Sequence, residues 1–302
     1  MRTPVTEPFP RPSASEPPLV VAVALLGAAI ASRFLAIAAA PGEIDEAVFA
    51  GAVHWFDMAD LSPQAPGFPV WILLGRALLP FASGAFHALA VAATLLSCVA
   101  LPALYLWGRR LVGGWAALGA TVFAAFLPVV WVNGGRAFSD SPSTAFFLAA
   151  LAALAAASER AASGRAGAVS LAVLAGLAAA AGAGVRPHLV LAFGPLLLVE
   201  ALLLVRSRSG RPVAAALVAS GLAGTAAWLV WLLAQAGGVQ GFLAGIDERA
   251  SFRSEAFEKG RFGSLLDSFL VRDFLAWPLA LGVFLLALLG LAVLARRTPR
   301  AA

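Results

Sequence analysis

Two adjacent carboxylates, Asp45 and Glu46, follow almost directly on the first long apolar run of this 302-residue chain. A carboxylate at the end of a membrane-spanning segment can take a proton from a hydroxyl or hold a cation, because it meets lipid-borne groups at phosphate depth. The same pair has a purely structural use, since Asp is a favoured helix N-cap and an acidic first turn complements the helix dipole. Arg33, Arg136 and Arg186 lie in or beside apolar runs, where a charge must be paired or wetted. Their planar fork of donors suits a phosphate. Snorkelling, or an i, i+4 pair between Arg136 and Asp140, would satisfy them equally well. Arg76, His54 and His188 complete the candidate binding set with Arg136, Asp140 and Arg186. The histidines and carboxylates show no ligand spacing such as His-x-x-x-His, so the sequence assigns no metal and no other cofactor, leaving only a divalent cation open.

The composition dictates what must position these groups. The chain is 61% hydrophobic and 12% charged, with a mean hydropathy of +0.89, against about 45–50% apolar and about 25% charged in soluble domains. A water-soluble fold is excluded, and a single cysteine, Cys98, excludes a disulfide scaffold. The net charge of +5 does not mark a nucleic-acid binder, because the basic residues are scattered between apolar runs. The expected fold is all-α: a polytopic membrane protein of about eight transmembrane helices, with interfacial helices in the first outer loop.

A span needs roughly 20 apolar residues. Eight runs qualify, at 19–40, 85–107, 113–133, 139–157, 167–185, 188–205, 213–236 and 274–295. The stretch 66–81 carries Arg76 and prolines at 66, 69 and 80, and reads as interfacial or re-entrant. Residues 1–18 form a polar, Pro-rich head expected to be disordered and cytoplasmic. One transmembrane domain then covers 19–295, with outer loops at 41–84 and 237–273, and 296–302 is a cytoplasmic tail. This arrangement places twelve of the 21 Lys and Arg residues inside, as the positive-inside rule requires. The protein is thus expected in the plasma (inner) membrane with both termini cytoplasmic. A helix over 46–57 would set Val48, Phe49, Ala52, Val53, Trp55 and Phe56 against lipid and Glu46, Ala50, His54 and Asp57 toward water. The 237–273 loop reads as a solvated amphipathic cap.

Several stretches share an order with a known family. Asp45-Glu46-Ala47 after the first span, Gln64-Ala65-Pro66-Gly67-Phe68-Pro69, and the inner Gly108-Arg109-Arg110-Leu111-Val112-Gly113 come first. Asn133-Gly134-Gly135-Arg136-Ala137-Phe138-Ser139-Asp140-Ser141-Pro142 and Gly182-Ala183-Gly184-Val185-Arg186-Pro187-His188 follow. Over residues 19–205 the chain resembles the C-type-fold glycosyltransferases that use polyprenyl-phosphate sugars, such as protein O-mannosyltransferases and aminoarabinose transferases, in a reduced form. Gln64 stands where that family often carries a basic residue.

The resemblance implies an inverting transfer of a sugar from a polyprenyl-phosphate donor to a hydroxyl on an acceptor glycan, lipid or protein, at the outer face. It implies Asp45 as general base, supported or replaced by Glu46, with Arg136 and Arg186 at the departing phosphate. The remaining binding candidates are Asp140, His188, His54 and Arg76. Two other readings stand beside it, a transporter or flippase of lipid-linked sugars and a non-catalytic membrane subunit. The orientation is tested by cysteine labelling. A cysteine introduced at Ser163 should resist an impermeant maleimide in intact cells and react after lysis; labelling from outside would invert the topology.

Overall fold

A computed structural model describes residues 16–257; most of the expected head, the 274–295 span and the 296–302 tail lie outside the described residues. Eleven α-helices make up the described chain: α1 (Leu19–Arg33), α2 (Ile44–His54), α3 (Pro69–Leu78), α4 (Ala85–Val112), α5 (Gly114–Phe126), α6 (Pro128–Asn133), α7 (Asp140–Ala162), α8 (Ala168–Val185), α9 (Val190–Val205), α10 (Arg211–Gln235) and α11 (Gly238–Phe257). The described residues contain no named strand. Six helical segments are long and apolar enough to cross a membrane: α1 extended to Ala36, α4, α7, α8, α9 extended back to Pro187, and α10.

The 113–133 run departs from expectation, being split into α5 and α6. Pro128 has no N–H to donate and pushes Leu127 out of the helical region, to φ −59° and ψ 127°. The 13 residues of α5 reach only about 20 Å at 1.5 Å per residue, short of a hydrocarbon core of about 30 Å. Arg33 bridges the two helices across the break, its Nη atoms donating to Ala125 O of α5 at 2.6 Å and to Val130 O of α6 at 2.7 Å. Arg33 is fully buried.

Contacts at the helix termini sort the bundle into two ends. At one end Arg110 of α4 pairs with Glu159 of α7 at 3.0 Å, and Gly114 at the start of α5 lies against Glu16 just before α1. At the other end lie Arg33 of α1, the α6–α7 link, the last turn of α8, and α2 with α3. A core of Phe49, Trp71, Ile72, Leu89 and Val185 fills this second end and holds α2 and α3 on α4 and α8. A separate core of Leu154, Ala172, Leu204, Val213 and Leu217 packs α7, α8, α9 and α10 near the first end.

Helix α2 therefore behaves differently from the interfacial helix expected over 46–57. Its buried face carries Glu46 together with Phe49, Ala52 and Val53, whereas Trp55, placed on the apolar side by pattern, is 70% exposed. The apolar stripe is used by protein instead of lipid. Helix α3 likewise buries one face in the protein, with Trp71 and Ile72 fully buried. The stretch expected as a loop from 237 begins as helix α11.

Helices α8 and α10 meet closely because Gly176 removes a side chain from the crossing: a Cβ there would collide with the Leu217 carbonyl and the Ser220 hydroxyl. Small residues at such crossings let membrane helices approach. Gly176→Leu should accordingly destabilise the fold by about 1–3 kcal/mol, the usual cost of overpacking. A drop of several degrees in melting temperature in detergent is expected; an unchanged Tm would show that the crossing tolerates separation.

Candidate functional site

Glu46 is the centre of the site end. It is fully buried, and its two oxygens accept five hydrogen bonds. Arg136 donates from both Nε, at 3.1 Å to Oε1, and Nη2 to Oε2. The backbone N–H groups of Ala137 at 3.1 Å, Gly42 at 2.8 Å and Glu43 at 3.2 Å supply the rest. A carboxylate offers about four lone-pair positions, so none remains for another partner. Burial alone would raise the Glu46 carboxyl; the Arg136 hydrogen bond, the Gly42 and Ala137 amides and the charge of Arg136 outweigh it and hold the group below the ordinary carboxylate range. Gly42 is needed for this approach, since a Cβ on it would run into the guanidinium. Arg136 also lies 5.0 Å from the Phe138 ring centroid.

The clamp frees Asp45. The N-cap of α2 is Glu43, which forms a capping box with Glu46 at the third helical position. Asp45 falls between them and does not cap. It is half-buried, and Gln64 Nε2 donates to its Oδ1 at 3.3 Å. The long Gln64 contact comes from the turn that leads into α3. Among the described residues Asp45 has no ion-pair partner.

A second pair lies within electrostatic reach of Asp45. Arg186, just past the end of α8, meets Asp140 Oδ1 at 2.9 Å and donates to Ser139 Oγ at 2.8 Å and His188 Nε2 at 2.8 Å. In place of the alternative i, i+4 pair between Arg136 and Asp140, two crossed pairs form, Arg136 with Glu46 and Arg186 with Asp140. Ser139 is fully buried at the N-cap position of α7. Its hydroxyl serves Arg186, with no side-chain cap bond to its own helix.

The site therefore brings together Asp45, Glu46, Arg136, Asp140, Arg186 and His188. It leaves out Arg76 and His54, which belong to the far end of α2. Arg76 Nε donates to Val53 O at 2.9 Å, eight residues along a helix from Asp45, or about 12 Å. His54 is exposed at the last residue of α2. Sequence reasoning missed Ser139 and Gln64 as members. Only the position of Ser139 before an acidic first turn hinted at a role, and that pattern points to capping. Among the described residues no three His, Cys, Asp or Glu side chains converge as a metal-binding group.

Comparison with family models, curated proteins and solved structures finds no match for this chain.

The clamp has a pH signature. A carboxyl held below its unfolded value stabilises the fold fully above the unfolded pKa, about 4.3 for Glu, and loses that contribution as pH falls through the folded value. Glu46→Gln leaves Arg136 without its anion, which should cost about 3–5 kcal/mol. Thermal melts of the wild type from neutral pH downward should show Tm declining below the ordinary Glu range, with a smaller decline in Glu46→Gln. A mutant with wild-type Tm and the same acid slope would remove the clamp from the stability argument.

Proposed function

We propose that the protein is a membrane-embedded glycosyltransferase that moves a sugar from a polyprenyl-phosphate donor to an acceptor hydroxyl. The observation that carries this reading is Asp45, a half-buried carboxylate with no cation partner among the described residues, set beside the Arg186–Asp140 pair at the end of the bundle. A base must keep a lone pair for its proton, and Asp45 does while Glu46 does not. In this reaction the acceptor oxygen attacks the anomeric carbon, the bond from that carbon to the phosphate oxygen breaks, and the hydroxyl proton passes to Asp45. Arg186 stabilises the charge growing on the departing phosphate, where donors fixed in advance help most. Asp140, Ser139 and His188 hold its fork in place. Glu46 and Arg136 position the α2 turn that carries Asp45. Attack opposite the leaving group inverts the anomeric centre.

The orientation follows from charge. The end that carries Arg109, Arg110, Arg160, Arg165, Arg206, Arg208 and Arg211 faces the cytoplasm under the positive-inside rule, which puts Asp45 at the outer face of the plasma membrane. A transporter of lipid-linked sugars would draw on the break between α5 and α6, since broken helices line transport sites. Arg33 already spans the break, bonded to Ala125 O on one side and Val130 O on the other, so the break offers little to a cargo.

Asp45→Asn tests the assignment with purified protein, a polyprenyl-phosphate sugar and an acceptor extract. Loss of the base should lower transfer by about 10²–10⁴-fold with donor affinity and Tm close to wild type. Activity within a few-fold of wild type would eliminate Asp45 as the base.

A further inference from the structure

A cavity of about 270 Å³ opens between α3, α8 and α10. Its walls are apolar: Val70 and Leu73 of α3, Leu177 of α8, and Gly224, Trp228 and Trp231 of α10. Gly224 lets the two long helices approach, and the Trp228 indole N–H is spent on Ala180 O at 3.0 Å, so the groove presents ring faces and methyl groups. Hydrocarbon is the matching content.

The groove has a charged mouth. Val70, Leu73 and Arg76 follow one another at i, i+3 and i+6, so Arg76 continues the stripe of α3 that forms the wall. Trp228, Trp231 and Gln235, at i, i+3 and i+7, form the matching stripe on α10. The two stripes meet at their outer ends, where Arg76 Nη1 donates to Gln235 Oε1 at 3.4 Å and the guanidinium carbon lies 5.5 Å from the Trp231 ring centroid. Nε of Arg76 is bound to Val53 O, which holds the side chain in rather than letting it snorkel freely. These bonds use two of its five N–H groups. Among the described residues no carboxylate balances its charge.

A half-buried cation with spare donors, fixed over the end of an apolar groove, matches one kind of molecule by both charge and shape. We propose that Arg76 and the groove between α3, α8 and α10 bind an anionic phospholipid of the bilayer, its phosphate on Arg76 and one acyl chain against Trp228 and Trp231. Charge complementarity chooses the occupant: a zwitterionic lipid brings its own cation to the headgroup, and a soluble phosphate leaves the groove unfilled. The site does not depend on the transferase reading, and its charged group, Arg76, is held at Val53 near the end of α2, away from Asp45.

Tryptophan quenching by lipids with brominated chains reports chain occupancy beside the indoles. Full-length protein stripped of lipid in a neutral detergent would be titrated with brominated phosphatidylglycerol and brominated phosphatidylcholine. Phosphatidylglycerol should reach half-quenching at a several-fold lower concentration, and excess inorganic phosphate should not displace it. Arg76→Gln should bring the two lipids together, while Arg76→Lys should keep part of the preference. Ala227→Leu, which fills the groove and leaves Arg76 untouched, should reduce quenching by both lipids. Equal binding of the two lipids by the wild type, a preference that survives in Arg76→Gln, or unreduced quenching in Ala227→Leu would each overturn the proposal.

Discussion

A carboxylate taken out of water persists only where its lone pairs are met, and the site end of this protein is organised around one such group. Glu46 is met by the fork of Arg136 and by three backbone amides from two stretches distant in sequence. Each bond fixes a backbone position: the link from α1 to α2, the first turn of α2, and the link from α6 to α7. Breaking the set would strand a charge, which is more costly than any single neutral hydrogen bond. The direction in which Asp45 points follows from this, since it is the residue preceding Glu46 on a helix whose first turn cannot rotate.

Arg33 obeys the same rule with the opposite sign. It is buried without a carboxylate among the described residues, and its two Nη groups are met by carbonyls on either side of the point where Pro128 interrupts the chain. A cation at the C-terminal end of α5 also complements the helix dipole. Together Glu46 and Arg33 bind both sides of the α5–α7 connection, and α6 and its glycines are held between them. Gly135 has its backbone against Ala36, with Ala38 N–H donating to Gly135 O at 2.9 Å. The opposite end of the bundle is held more loosely: the Arg110–Glu159 pair is 26% and 44% exposed, a class of ion pair that contributes little.

The division of labour among the long helices follows. Helices α4, α7 and α8 bury much of their surface against one another, whereas α1, α9 and α10 show large apolar side chains outward, as at Leu191 and Leu222. Such surfaces are matched to lipid, and they leave the short helices α2 and α3 to close the polar end. Asp45 comes within electrostatic reach of Asp140, the partner of Arg186, because α2 is seated on the end where α8 stops.

Composition and charge alone determined the class: a helical membrane chain whose apolar runs at 85–107, 139–157, 167–185, 188–205 and 213–236 become helices in place, because a long apolar run must satisfy its backbone internally. Proximity of Asp45, Glu46 and the arginines to the same ends of those runs was equally legible, as each sits at a calculable depth along the chain. Pairing was not. Whether Arg136 meets Asp140 four residues away or Glu46 ninety residues away depends on how α2 seats against the α6–α7 link, and no local pattern carries that choice. The same holds for the break at Leu127, whose cost was visible in Pro128 but whose remedy, Arg33, comes from another helix. Periodicity reported that α2 has an apolar side; only packing decided that this side faces protein, with Glu46 buried among the hydrophobic residues because Arg136 arrives to neutralise it.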